Sequence, residues 1–292
     1  MKKFKILISI LFKKNGYFHL IFLANRMLFK KIISGLINIS SIKISLLLMS
    51  INSVSKIKYN YDKNKKLFFV TEDNVKHFFS NAHRGNWLYQ QGLFNRSFQL
   101  NKSYGINGIA LNEDDIVIDI GANYGDLGVY LKKFKVKMYG FEPDLEAWNS
   151  LKENNYYKIF KIALSNYKGL SKFYISSSRA DSSLFMKEPN QKYIEIDTDM
   201  LDNFFHDKPK IKLIKLEAEG AEPEILKGSI NILKKTEFLC VDGGPERGIE
   251  KKQTIEEFVN IMLENNFKLL YLNTDKKKLS KALFVNKNFI NI

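Results

Sequence analysis

An α/β fold, a mostly parallel sheet with helices on both faces, is predicted from Asp115 onward by two observations. Short β-branched runs alternate with helical stretches, the order that gives parallel strands joined by helical crossovers. Four acids, Asp119, Glu142, Glu217 and Asp242, each fall at or just after the carboxyl end of a strand run, where open α/β sheets bind their ligands.

The elements follow in order. In "DIVIDIGANYGDLGVYL" a buried strand runs into a glycine bend and then a helix. "VKMYGFEPD" is a second strand closing on Glu142, "LEAWNSLKENN" a helix, and "YYKIFKIALSN" a third strand carrying Ala163. "SKFYIS" and "KYIEID" are expected as extra or edge strands. "IKLIKLEAEG" is a strand ending in acids and "EPEILKGSINILKK" a helix. "EFLCVDGG" is another strand and "QTIEEFVNIMLENN" another helix, and "FKLLYLN" and "KALFVN" close the chain as strands. No internal repeat or long linker interrupts the series.

Composition limits the class. At 292 residues, 45% hydrophobic and 26% charged, the chain is globular. A single cysteine, Cys240 in the apolar run "FLCVD", excludes an internal disulfide and most zinc sites. It implies a reducing, cytoplasmic setting. The net charge of +15 is uneven: residues 1–61 carry eleven Lys/Arg and no acid, leaving 35 basic against 31 acidic residues in the rest. The apolar run 6–12 is short and followed by Lys13 and Lys14, with no small-residue cleavage site, so a signal peptide is rejected. Residues 32–51 are interrupted by Lys43 and serines and fall below the ~18 uninterrupted apolar residues of a membrane span. Residues 1–60 are therefore expected as a basic, apolar helical extension. Either it lies peripherally on an anionic membrane surface, or it packs as a cap on the main domain or a second subunit. Residues 61–110 are expected as a cap or lid, and 111–292 as the ligand-binding domain.

The ligand is narrowed by what the glycine bend lacks. "GANYG" is neither G-x-G-x-x-G nor a phosphate loop, and the acid before it, Asp119, would repel a pyrophosphate. It suits a ligand with a cationic end, and S-adenosylmethionine offers an ammonium and a sulfonium. Glu142 lies 23 residues after Asp119, near the ~20-residue spacing at which an acid accepts from ribose hydroxyls. Gly121 and Gly125 are expected to let the backbone approach the ligand without a Cβ, or to serve a tight strand–helix turn. Amides from Asn123 onward are expected to hold the methionyl carboxylate.

"DIVIDIGANYGDLGVYL", "GFEPD", "IALSN" and "IKLIKLEAEGAEPEILKG" resemble, in that order, the motifs of the FkbM-family methyltransferases. The upstream "YQQGLFNRSFQLNKSYGINGI" resembles that family's lead-in, so the likeness covers roughly residues 87–286. The resemblance implies a class I methyltransferase fold, Rossmann-like, with a mostly parallel seven-stranded sheet. It also implies S-adenosylmethionine as cofactor, contacted by Asp119, Gly121, Asn123, Gly125, Glu142 and Ala163, and O-methylation of a small-molecule, sugar or glycan hydroxyl. The family's strand-four phrase commonly has Asp where this chain has Glu217. Arg96 and Tyr104 match the lead-in and are expected either at the acceptor pocket or in packing.

A hydroxyl acceptor must lose its proton, and a general base contributes about 10²–10⁴-fold. Glu217, Glu219 and Glu222 crowd into six residues at a strand end, where mutual repulsion raises a carboxyl pKa. Glu217 or Glu219 is expected as base or hydroxyl ligand. Glu222 is expected at the acceptor or as a helix cap, and Asp242 and Arg247 at the acceptor or in a surface loop. No His accompanies these acids, and no metal is expected. His77 and the other histidines read as ordinary core or surface residues. Two rivals stand beside this reading. A nucleic-acid methylase would carry an N/D-P-P-Y-like segment where this chain has "LEAEGAE", and its basic region would interleave aromatics. A catalytically inactive scaffold of the same fold would have no need of Asp119 and Glu142.

Overall fold

The computed structural model describes residues 41–53, 57–176, 181–274 and 280–290; most of the expected basic extension lies outside them. Its described part holds helix α1 (Ile42–Asn52). Leu48 and Met49 of α1 are buried in a cluster with Tyr59, Val70, Phe79 and Tyr89, and the Asn52 amide donates to Asn86 Oδ1 at 2.9 Å. This helix packs as a cap does. Among the described residues no helix is long and apolar enough to cross a membrane.

A three-stranded antiparallel meander follows, β1 (Lys58–Asp62), β2 (Leu67–Glu72) and β3 (Val75–Phe79). The β2–β3 hairpin turns through Asp73 and Asn74, both at positive φ (45° and 65°), the pairing a type I′ turn requires. Helices α2 (Ala82–Tyr89) and α3 (Leu93–Ser103) come next. Glu72 ties meander to helix, its carboxylate accepting the Leu93 and Phe94 N–H groups at the start of α3.

The main domain then alternates as expected: β4 (Ile116–Ile120), α4 (Asp126–Leu131), β5 (Lys137–Phe141), α5 (Leu145–Asn154) and β6 (Lys158–Phe160). The excursion β7 (Ala163–Leu164), β8 (Gly169–Tyr174) and β9 (Tyr193–Asp199) precedes β10 (Ile211–Leu216), α6 (Glu222–Lys227), α7 (Ile230–Lys234) and β11 (Thr236–Gly243). The small hairpin β12 (Pro245–Arg247) and β13 (Lys252–Gln253), then α8 (Ile255–Glu264), β14 (Phe267–Thr274) and β15 (Ser280–Asn286), complete the series.

Seven strands form one sheet in the order β14-β15-β11-β10-β4-β5-β6. The run β11-β10-β4-β5-β6 is parallel, and β15 is antiparallel to both its neighbours. Alternate residues supply opposite faces: Ile118, Ile120, Ile214 and Leu216 pack with Leu226 and Phe258, whereas Val117, Leu213 and Cys240 pack with Leu127 and Leu151. The fold is the class I methyltransferase arrangement. One boundary differs from expectation. "YYKIFKIALSN" divides between β6, the edge of the main sheet, and β7, which pairs with β9 in a separate three-stranded sheet.

Candidate functional site

Strand order reverses direction at β4, with β5 on one side and β10 on the other, and this switch point opens a crevice at the strand ends. A cleft of about 980 Å³, counting its solvent-open mouth, lies there, lined by Asp119, Gly121, Asn123, Glu142, Glu217 and Glu219 among others. Six of the ten expected site residues thus meet in one place, and Ala163 joins them beside Ile162, Leu164 and Phe173.

The base of the cleft holds a buried ion cluster that the sequence reading missed. In the β4–β10 ladder Lys215 stands directly beside Asp119. Its Nζ lies 3.1 Å from Asp119 Oδ1 and 3.2 Å from Glu217 Oε2, and it donates to the Gly121 carbonyl at 2.9 Å. Burial works against the Lys215 charge, but Asp119 and Glu217 outweigh it and hold the ammonium above its ordinary pKa. The Tyr157 hydroxyl donates to Asp119 Oδ2 at 3.0 Å. Asp119 is therefore engaged on both oxygens inside the protein, and burial raises its pKa against the pull of Lys215.

Glu142, at the end of β5, shapes the loop across from it. Its Oε2 accepts the Asn123 N–H at 2.8 Å and its Oε1 the Asp144 N–H at 2.9 Å. Each oxygen keeps a second lone pair free to accept, and Glu142 lines the cleft. Burial pushes its pKa up to about 7. The Asn123 amide thus serves Glu142, and its side chain accepts the Tyr124 N–H. Internal packing alone already requires both glycines. A Cβ on Gly121 (φ +72°) would lie 1.9 Å from the Glu217 carbonyl oxygen, and one on Gly125 (φ +83°) would meet Leu151 at 2.8 Å.

The acids after β10 separate sharply. Burial opposes ionisation of Glu217, but Lys215, Lys281 and the Tyr104 hydroxyl, donating at 2.7 Å, hold its carboxyl well below the usual range. Glu219 is pushed up to about 8 by burial and the nearby Glu246 charge, against a 2.7 Å contact from Lys187. Lys187 comes from the β8–β9 excursion, a contribution that reading those strands as mere edges did not anticipate. Glu222 is fully buried, and its Oε1 accepts the Ala218 and Gly220 N–H groups. It closes its own loop at the start of α6. Asp242 is buried against Lys281, away from the cleft walls, and Arg247 is held bidentate by Glu224 at 2.8 and 2.6 Å.

Asp126 is a second hub missed from sequence. It accepts from Tyr89 at 2.7 Å and Arg96 at 2.9 Å and lies 3.1 Å from His77 Nε2. Burial opposes its charge, but Arg96 and His77 hold the carboxyl well below its ordinary range. Through it the meander and both cap helices are fastened to the start of α4. Among the described residues no cluster of His, Cys, Asp or Glu is placed to hold a metal.

The raised carboxyls have a measurable consequence. Glu142, Glu222 and Glu246 sit at about 7, Glu219 at about 8 and Asp242 at about 6. Between the unfolded values near ~4 and these, the folded state holds the extra protons, so stability falls as pH rises. The thermal midpoint of the ligand-free protein is expected to drop from about pH 5.5 to about pH 8. A midpoint that climbs over that window would contradict these placements.

The donor set fits S-adenosylmethionine. Carboxylates face a cationic ligand, Glu142 is placed for a diol, and apolar Phe141, Ile162, Leu164 and Phe173 offer a slot for a flat base. Replacing Glu142 by Ala is expected to weaken S-adenosylhomocysteine binding about 10–100-fold, the loss of a charged acceptor. Wild-type affinity is expected to rise as pH passes through about 7, because the carboxylate is the better acceptor. Calorimetric titration measures both.

A 2-O-methyltransferase, NoeI, of Sinorhizobium fredii is 23% identical over 173 residues, 51% of this chain and 71% of that protein. A hexuronic acid methyltransferase, AglP, of Haloferax volcanii is 28% identical over 137 residues, 44% of this chain and 56% of that protein. The chain thus spans little more than half the length of the second. Among solved structures, magnesium protoporphyrin IX methyltransferase from Synechocystis aligns at 9% identity over 69% of this chain and 87% of that one, with a TM-score of 0.43, too low to argue from. The sequence model of the methyltransferase FkbM domain matches residues 119–269, from the acid of β4 to the third residue of β14. Covering more than half of the 292 residues, that match makes the chain a member of the FkbM methyltransferase family.

Proposed function

We propose that this S-adenosylmethionine-dependent methyltransferase methylates a hydroxyl of a sugar or glycan, with Glu219 taking the hydroxyl proton. S-adenosylmethionine supplies an electrophilic methyl group on a sulfonium. The chain must then hold an oxygen in line with that methyl and remove its proton. The separation of Glu217 from Glu219 carries the reading. Glu217, fixed as a carboxylate by Lys215 and Tyr104, is a weak base and orients its neighbours. Glu219, at about 8, is basic enough to accept a proton and lines the same cleft. The relatives named for 2-O- and hexuronic acid methylation favour a sugar acceptor. Peripheral membrane contact through residues 1–60 belongs with this proposal only as a route to a lipid-linked acceptor.

Incubation with labelled S-adenosylmethionine and separate glycan, lipid, RNA and protein fractions tests the assignment. Label is expected in alkali-stable ethers of the glycan fraction. Label in RNA or protein alone would overturn it.

A further inference from the structure

Almost every cation at the cleft has its carboxylate. Among the charged residues that line it, Arg96 pairs with Asp126, and Lys215 with Asp119 and Glu217. Just behind the wall, Lys187 pairs with Glu219. Arg84 is the exception: it lines the cleft, yet no acid among the described residues pairs with it, and its Nε is buried with no hydrogen-bond partner. A guanidinium cannot lose its charge, and a desolvated donor without an acceptor is costly.

Arg84 is nevertheless held in place. Its backbone N–H donates to the Asn81 side chain that caps α2, and its guanidinium lies 5.6 Å from the centre of the Tyr124 ring. At that distance the ring face attracts the cation without supplying a hydrogen-bond acceptor. Tyr124 belongs to the loop after β4, whose amides are already committed: Asn123 to Glu142, Tyr124 to the Asn123 side chain, Gly125 to the Ala122 carbonyl. An anion entering beside that loop finds few backbone donors and one fixed guanidinium.

Resting on the methyltransferase reading, we infer that Arg84 pairs with a carboxylate carried into the cleft by a ligand. Two ligands can bring one: the cofactor, through its methionyl end, and an acidic sugar acceptor. Arg84→Met keeps the stem over Tyr124 and removes the charge. S-adenosylhomocysteine and 5′-methylthioadenosine, which lacks the amino-acid part, are titrated calorimetrically into the full chain and its variant. A loss of about 10–100-fold for S-adenosylhomocysteine, with 5′-methylthioadenosine unchanged, assigns Arg84 to the cofactor. Unchanged binding of both, with KM raised for an acidic sugar acceptor and not for its neutral counterpart, assigns it to the acceptor. Equal losses for both nucleosides, or no change in any of the four ligands, would overturn the inference. If the wild type binds neither nucleoside, the methyltransferase reading itself falls.

Discussion

Replacing Lys215 by Met is expected to lower the thermal midpoint by roughly 10 °C, from a destabilisation of about 3–5 kcal/mol. The side chains of Lys215 and Asp119 are 4% and 1% exposed, so the substitution leaves a buried carboxylate without its cation. It also strips a donor from the Gly121 carbonyl, at the turn that starts the loop after β4. Replacing a whole buried pair is far cheaper than breaking it. The double variant Lys215→Met with Asp119→Asn is therefore expected to recover much of the loss in midpoint. An unmoved midpoint in the single variant, or a double variant less stable than the single one, would show that this cluster does not hold the site together.

Glu219→Gln is expected to lower kcat by about 10²–10⁴-fold, the usual contribution of a general base, while leaving S-adenosylhomocysteine affinity unchanged. The wild type is expected to gain activity as pH rises through about 8, where Glu219 ionises, and the variant to lose that limb. The amide still accepts from Lys187, so the fold is kept. Glu217→Gln, by contrast, is expected to retain the limb, because Glu217 is ionised well below it. A Glu219→Gln profile that keeps the wild-type limb would move the base elsewhere.

The alternation of strand and helix, the acids at the strand ends and the glycine bend after β4 were legible in the sequence because each is a local pattern. What escaped depends on which residues lie side by side. Lys215 looks like an ordinary member of "IKLIKL"; only the β4–β10 register places it against Asp119. Glu222 and Asp242 share the strand-end position of the true cleft residues, but their carboxylates turn to Gly220 and Lys281. The local pattern singled out the glycines, but not the further demand on Gly121 made by the Glu217 carbonyl, a contact between loops about a hundred residues apart in sequence. The β1–β3 meander did leave a signal, Asp73-Asn74 between two aromatic-rich runs, of the kind that marks a two-residue hairpin.

The most direct measurement is a crystal structure of the full chain with S-adenosylhomocysteine. The ribose hydroxyls are expected within hydrogen-bond distance of Glu142, with the homocysteine sulfur on the side of Glu217 and Glu219. A nucleoside lodged away from the ends of β4 and β5, or a ribose turned from Glu142, would contradict the site described.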